Sequence, residues 1–107
     1  MNIRISKNQV RFRITKDELK LLKENGNLAL QSPIDLNPKN YLVEISRESK
    51  SLTIQERAGN LVMLVNENSL MELEQKLPSK DGLESEVFVN GQAVKVVLEI
   101  DVRSRYN

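Results

Sequence analysis

Three arginines and two carboxylates are the side chains of this sequence best suited to grip an anion or a metal ion. Arg4 lies in a stretch that alternates apolar Ile3 and Ile5 with polar neighbours. Arg11 and Arg13 lie in a second such stretch, with Val10, Phe12 and Ile14. A two-residue turn at Lys7-Asn8, where Asn tolerates positive φ, makes a hairpin of the two and sets its register. Ser6 then faces Gln9, Ile5 faces Val10, Arg4 faces Arg11 and Asn2 faces Arg13. Ile3, Ile5, Val10 and Phe12 share the core face, so the three guanidinium groups gather on the other. Like charges directly across a strand pair are destabilising, so the row calls for compensation. A phosphate or carboxylate ligand would supply it, because guanidinium forks suit planar anions. Carboxylates of a neighbouring strand, or simple solvation, are the structural alternative and the first expectation.

Glu99 and Asp101 are the second feature. On a strand, both project from one face while Leu98 and Ile100 project from the other. Two carboxylates at that spacing have the oxygen chemistry to hold Mg²⁺ or Mn²⁺. The pattern is similar to that of the triphosphate-tunnel enzymes, antiparallel barrels in which alternating acids bind metal and inward-facing basic residues grip phosphate. Here the acidic run lies at the other end of the chain, and its third member is Arg103 rather than Lys. The chain is also short for that fold. The structural alternative is that Glu99 and Asp101 are the partners that Arg4 and Arg11 require.

Composition narrows the field. The 107 residues contain no cysteine and no histidine. Cys-bound zinc, disulfides, Ser-His-Asp and Cys-His catalysis and His-ligated metals are therefore excluded. No G-x-S-x-G turn or phosphate-cradling glycine loop occurs, so no catalytic residue and no cofactor is assigned. The formal net charge of +1 and only four aromatic residues argue against a nucleic-acid partner. With no apolar run near membrane-spanning length, the expectation is no membrane association and a cytoplasmic location. Residues 1–50 carry 10 Lys and Arg against 6 Asp and Glu, net +4; residues 51–107 carry 6 against 9, net −3. The expected consequence is mutual attraction within one domain spanning 1–107.

The elements that must position these side chains follow a repeated order. After the opening hairpin, Thr15 with Glu18 three residues on is a capping box for a helix whose stripe is Leu19, Leu21 and Leu22, ended by Asn25-Gly26. Leu28 and Leu30 predict a strand closed by Pro33. A loop around Asn37-Pro38-Lys39-Asn40 leads to a further strand at 41–45. The order then recurs: Leu52 and Ile54, a turn at Ala58-Gly59-Asn60, and Leu61, Met63 and Val65. Asn66 is an N-cap, and Leu70, Leu73 and Leu77 mark a helix stopped by Pro78. Asp81-Gly82 opens the last hairpin, whose turn is Asn90-Gly91. Laying Thr15 on Asn66 matches Val10, Phe12 and Ile14 to Leu61, Met63 and Val65, with two extra residues in the second hairpin turn. The reading is α+β: about eight mostly antiparallel strands and two short helices, a tandem ββα-ββ repeat with halves of about 1–48 and 51–102. They share one core as a sandwich or barrel-like body.

Apolar surface is in surplus. Val62 and Leu64 lie opposite Leu61, Met63 and Val65, so that strand is apolar on both sides. In the last hairpin, pairing Val89 with Gln92 sets Glu86 against Lys95, yet Phe88, Ala93 and Val97 share that polar face. Such strands are covered twice. The expected cover is the domain's own helices or other sheet; the alternative is a homodimer through Val62, Leu64, Phe88 and Val97.

One resemblance extends along the chain. Ile3-Arg4-Ile5, Asn8, the run from Val10 to Thr15 and Glu18 resemble the start of a family of small bacterial proteins of unknown function. The closing Val96-Val97-Leu98-Glu99-Ile100-Asp101 is similar to that family's last strand, where many members continue to a Cys; this chain has Arg103 and Ser104 there. The resemblance implies a shared fold and a bacterial origin, and no activity. Two functions are carried forward. The first is a non-enzymatic binding or assembly module with an unknown protein or a second copy as partner. The second is an anionic-ligand site, metal-dependent or not, built from Arg4, Arg11, Arg13, Glu99 and Asp101.

Overall fold

The computed structural model describes residues 1–30, 40–48, 51–77 and 82–101. Pro33, most of the loop before Asn40, Pro78, Asp81, Arg103 and Ser104 lie outside them. The elements run β1 (Asn2–Ser6), β2 (Gln9–Thr15), α1 (Lys16–Asn25), β3 (Asn27–Leu30) and β4 (Tyr41–Ser46), then β5 (Thr53–Arg57), β6 (Asn60–Asn66), α2 (Glu67–Gln75), β7 (Leu83–Val89) and β8 (Gln92–Asp101). This is the expected α+β class.

Among the described residues, consecutive strands form four antiparallel pairs, and each pair joins one from the other half of the chain. One sheet has the order β1-β2-β8-β7, the other β3-β4-β6-β5. The joins are parallel: β2 runs beside β8, and β4 beside β6. Among the described residues the strands form two sheets, not one closed barrel. Exchanging the first five elements with the last five converts one strand order into the other.

Both helices start where the sequence predicts. Thr15 accepts the Glu18 amide at 3.1 Å, and Glu18 returns the bond to the Thr15 amide at 2.9 Å. The second oxygen of Glu18 holds the Met1 ammonium at 2.6 Å, so one carboxylate ties the chain's start to the cap. Asn66 Oδ1 accepts from the amides of Asn68 and Ser69. Gly26, at φ 79°, ends α1 in the left-handed conformation.

Two turn expectations are corrected. The β5–β6 turn is two residues long, with Arg57 facing Asn60, and matches the length of the Lys7-Asn8 turn. Superposing the two hairpins therefore needs no extra turn residues, and Ile3 falls on Ile54 rather than on Leu52. Secondly, Ala58 (φ 53°) and Asn90 (φ 51°) are the non-glycine residues at positive φ among those described, so Lys7-Asn8 closes without left-handed backbone.

The core cluster draws on both sheets and both helices: Phe12, Ile14, Leu22, Val43, Met63, Val65, Leu70 and Leu98 are fully buried or nearly so. Phe12 of one sheet meets Tyr41 of the other edge to face, with ring centroids 6.3 Å apart. At the rim a hydrogen bond from Ser85 Oγ to the Leu52 carbonyl joins β7 to the segment entering β5.

Candidate functional site

The parallel β2–β8 ladder decides what the arginines meet. In parallel register Arg11 lies beside Val97, Arg13 beside Glu99 and Thr15 beside Asp101, on the sheet face away from the core. β1 adds Arg4, directly opposite Arg11, and Asn2, opposite Arg13. The predicted site residues Arg4, Arg11, Arg13, Glu99 and Asp101 therefore share one sheet face.

Glu99 is the hub. Its Oε1 lies 3.1 Å from Arg11 Nε and its Oε2 lies 3.2 Å from Arg13 Nη2, with its side chain 14% exposed. One carboxylate thus bridges two guanidinium groups two residues apart. Arg4 sits one strand further out, and no ion pair to it forms among the described residues. Asn2, Arg4, Arg11 and Arg13 line a small hollow.

That geometry is internal pairing of arginine with carboxylate, with Arg13 rather than Arg4 as the second partner. Both Glu99 oxygens are engaged by arginine, so a divalent cation would compete with two positive charges already in place. Among the described residues, no group of three or more acids is placed to hold a metal ion. Asp101 lies at the far end of the row and lines a hollow with Met1, Asn2, Arg13, Ile14 and Thr15.

The apolar candidates separate into two kinds. Val62 and Val97 lie on the outward faces of the sheets but are covered by the chain itself, at 0% and 2% exposure. Val97 sits between Arg11 and Glu84 in register, and the ion pairs Arg11–Glu99 and Lys95–Glu84 run beside it. Long charged side chains of this kind cover apolar neighbours with their aliphatic stems. Leu64 is half-buried. Phe88 is 73% exposed.

A family model described as "Family of unknown function (DUF7009)" matches residues 1–104. The chain belongs to this family. No curated protein and no solved structure matches it significantly. Membership agrees with the resemblance carried by the opening hairpin and closing strand. It leaves function to be argued from the site.

Two features of this DUF7009 chain were not legible in its sequence. Glu44 on β4 occupies the register in its sheet that Glu99 occupies in the other, beside Leu64 as Glu99 is beside Arg13. It pairs with Arg57 at 2.6 Å, reaching across β6. The second feature is an overhang. β8 meets β2 only from Lys95 onward, so Val87–Val89 and Gln92–Val94 extend as a two-stranded arm beyond the end of β2. The signal for it was the difference in strand length, seven residues in β2 against ten in β8.

Proposed function

We propose that the domain is a non-enzymatic binding and assembly module that self-associates through the β7–β8 arm. The observation that carries this is Phe88, 73% exposed on a strand at the edge of its sheet. Val89, 41% exposed, projects from the opposite face of the same arm. An apolar arm with an open backbone edge is a surface that soluble proteins cover. Two β7 strands pairing antiparallel about a twofold axis would close the edge in a dimer, the commonest symmetric assembly. The tandem repeat belongs to the same reading: two ββα-ββ copies exchange hairpins within the chain, and the arm offers a further hairpin to a second copy.

Sedimentation velocity across a concentration series tests this. The wild-type chain is expected to shift from monomer to dimer with rising concentration, and Phe88→Ser to remain monomeric. A wild type that stays monomeric throughout, or a dimer untouched by Phe88→Ser, would sink the assignment.

A further inference from the structure

The opposite edge of the same sheet presents a different surface. β1 is the terminal strand, and four of its five residues are exposed. An open trough of about 560 Å³ runs along it, lined by Ile3, Arg4, Ile5, Ser6, Gln9 and Arg11. Arg4 stands mid-strand with no carboxylate partner among the described residues, and Arg11 and Arg13 share Glu99. Around β1 and β2, three arginines stand against the two carboxylates that share their row, Glu99 and Asp101. On the other face of β1, Ile5 is 54% exposed.

We infer that the β1 edge receives an extended acidic segment of a partner protein by strand addition. An added strand satisfies the open main-chain groups of β1, and its alternating side chains fall on the two faces in turn. A residue opposite Arg4 faces the guanidinium row, where a carboxylate accepts charge-assisted hydrogen bonds. Its two neighbours fall on the Ile3 and Ile5 face, where apolar side chains fit. The recognised pattern is apolar-acidic-apolar. The same charge disfavours a second copy at this edge, because antiparallel pairing of two β1 strands about their centres sets Arg4 against Arg4. This surface is distinct from the β7–β8 arm, and the inference stands whether or not the arm dimerises.

The test uses two labelled, capped peptides, Val-Glu-Val-Glu-Val and Val-Gln-Val-Gln-Val, titrated with the full chain at low salt and followed by anisotropy. Amide exchange of β1 is measured in parallel, and inorganic phosphate serves as the small-anion probe. The Glu peptide is expected to bind at least tenfold more tightly than the Gln peptide and to slow exchange of β1 amides. Arg4→Gln should abolish the preference while Arg4→Lys retains part of it. Equal binding of the two peptides, a preference that survives Arg4→Gln, or binding without β1 protection would overturn the inference. So would no peptide binding at millimolar concentration, whether phosphate then binds alone or nothing binds.

Discussion

Arg13 and Glu99 lie side by side in parallel register although 86 positions separate them in the chain, and their side chains meet at 3.2 Å. The same carboxylate holds Arg11, so removing its charge leaves two half-buried guanidinium groups without a counter-ion. Glu99→Gln is expected to destabilise the fold by about 1–3 kcal/mol. Urea unfolding measures it. Adding Arg11→Gln to Glu99→Gln should cost less than the sum of the single changes, because the two sites are coupled.

The Ala58-Gly59 and Asn90-Gly91 turns differ in their first residue. Ala58 and Asn90 both adopt left-handed backbone, at φ 53° and φ 51°. That conformation suits Asn and strains Ala. Ala58→Asn should therefore stabilise by about 0.5–1 kcal/mol, and Asn90→Ala should destabilise by a similar amount. Thermal unfolding of both variants checks the paired signs.

Gly82 is required on two grounds. Its φ is +64°, and a Cβ there would collide with the Leu98 carbonyl oxygen, with Glu99 Cγ at 3.1 Å. The obstacle is backbone, which cannot move without breaking the β7–β8 ladder. Gly82→Ala is expected to cost about 2 kcal/mol or more, read from the urea midpoint.

Glu18 does two tasks with two oxygens, capping α1 and holding the Met1 ammonium. Thr15→Ala should cost about 1 kcal/mol through the cap alone. Glu18→Ala removes both contacts. Glu18→Gln keeps an acceptor for the Thr15 amide and loses the ion pair, so its melting temperature should fall between those of wild type and Glu18→Ala.

What was legible in the sequence was local. Turn length alone placed Arg4 opposite Arg11 and Val89 opposite Gln92, and spacing alone located both helix caps. The pairing of hairpins was not legible, because nothing near Gln9 or Lys95 marks β2 and β8 as neighbours. That pairing decides the site: β8 lies beside β2, so Glu99 reaches Arg11 and Arg13, while Arg4 is one strand too far. Register did not settle ion pairs either. Glu86 does face Lys95, yet Lys95 Nζ reaches diagonally to Glu84 at 2.6 Å. Alternation also misjudged accessibility. Val97 and Phe88 both lie on the polar face, but Val97 sits mid-sheet under long charged side chains and Phe88 sits past the end of β2.

Self-association through the arm is tested most directly by hydrogen exchange of the Phe88 and Val89 amides in dilute and in concentrated wild-type protein. Concentration is expected to slow their exchange while the other elements, β1 included, stay unchanged, and Phe88→Ser to remove the effect. Exchange of those amides that is independent of concentration would contradict self-association through the arm.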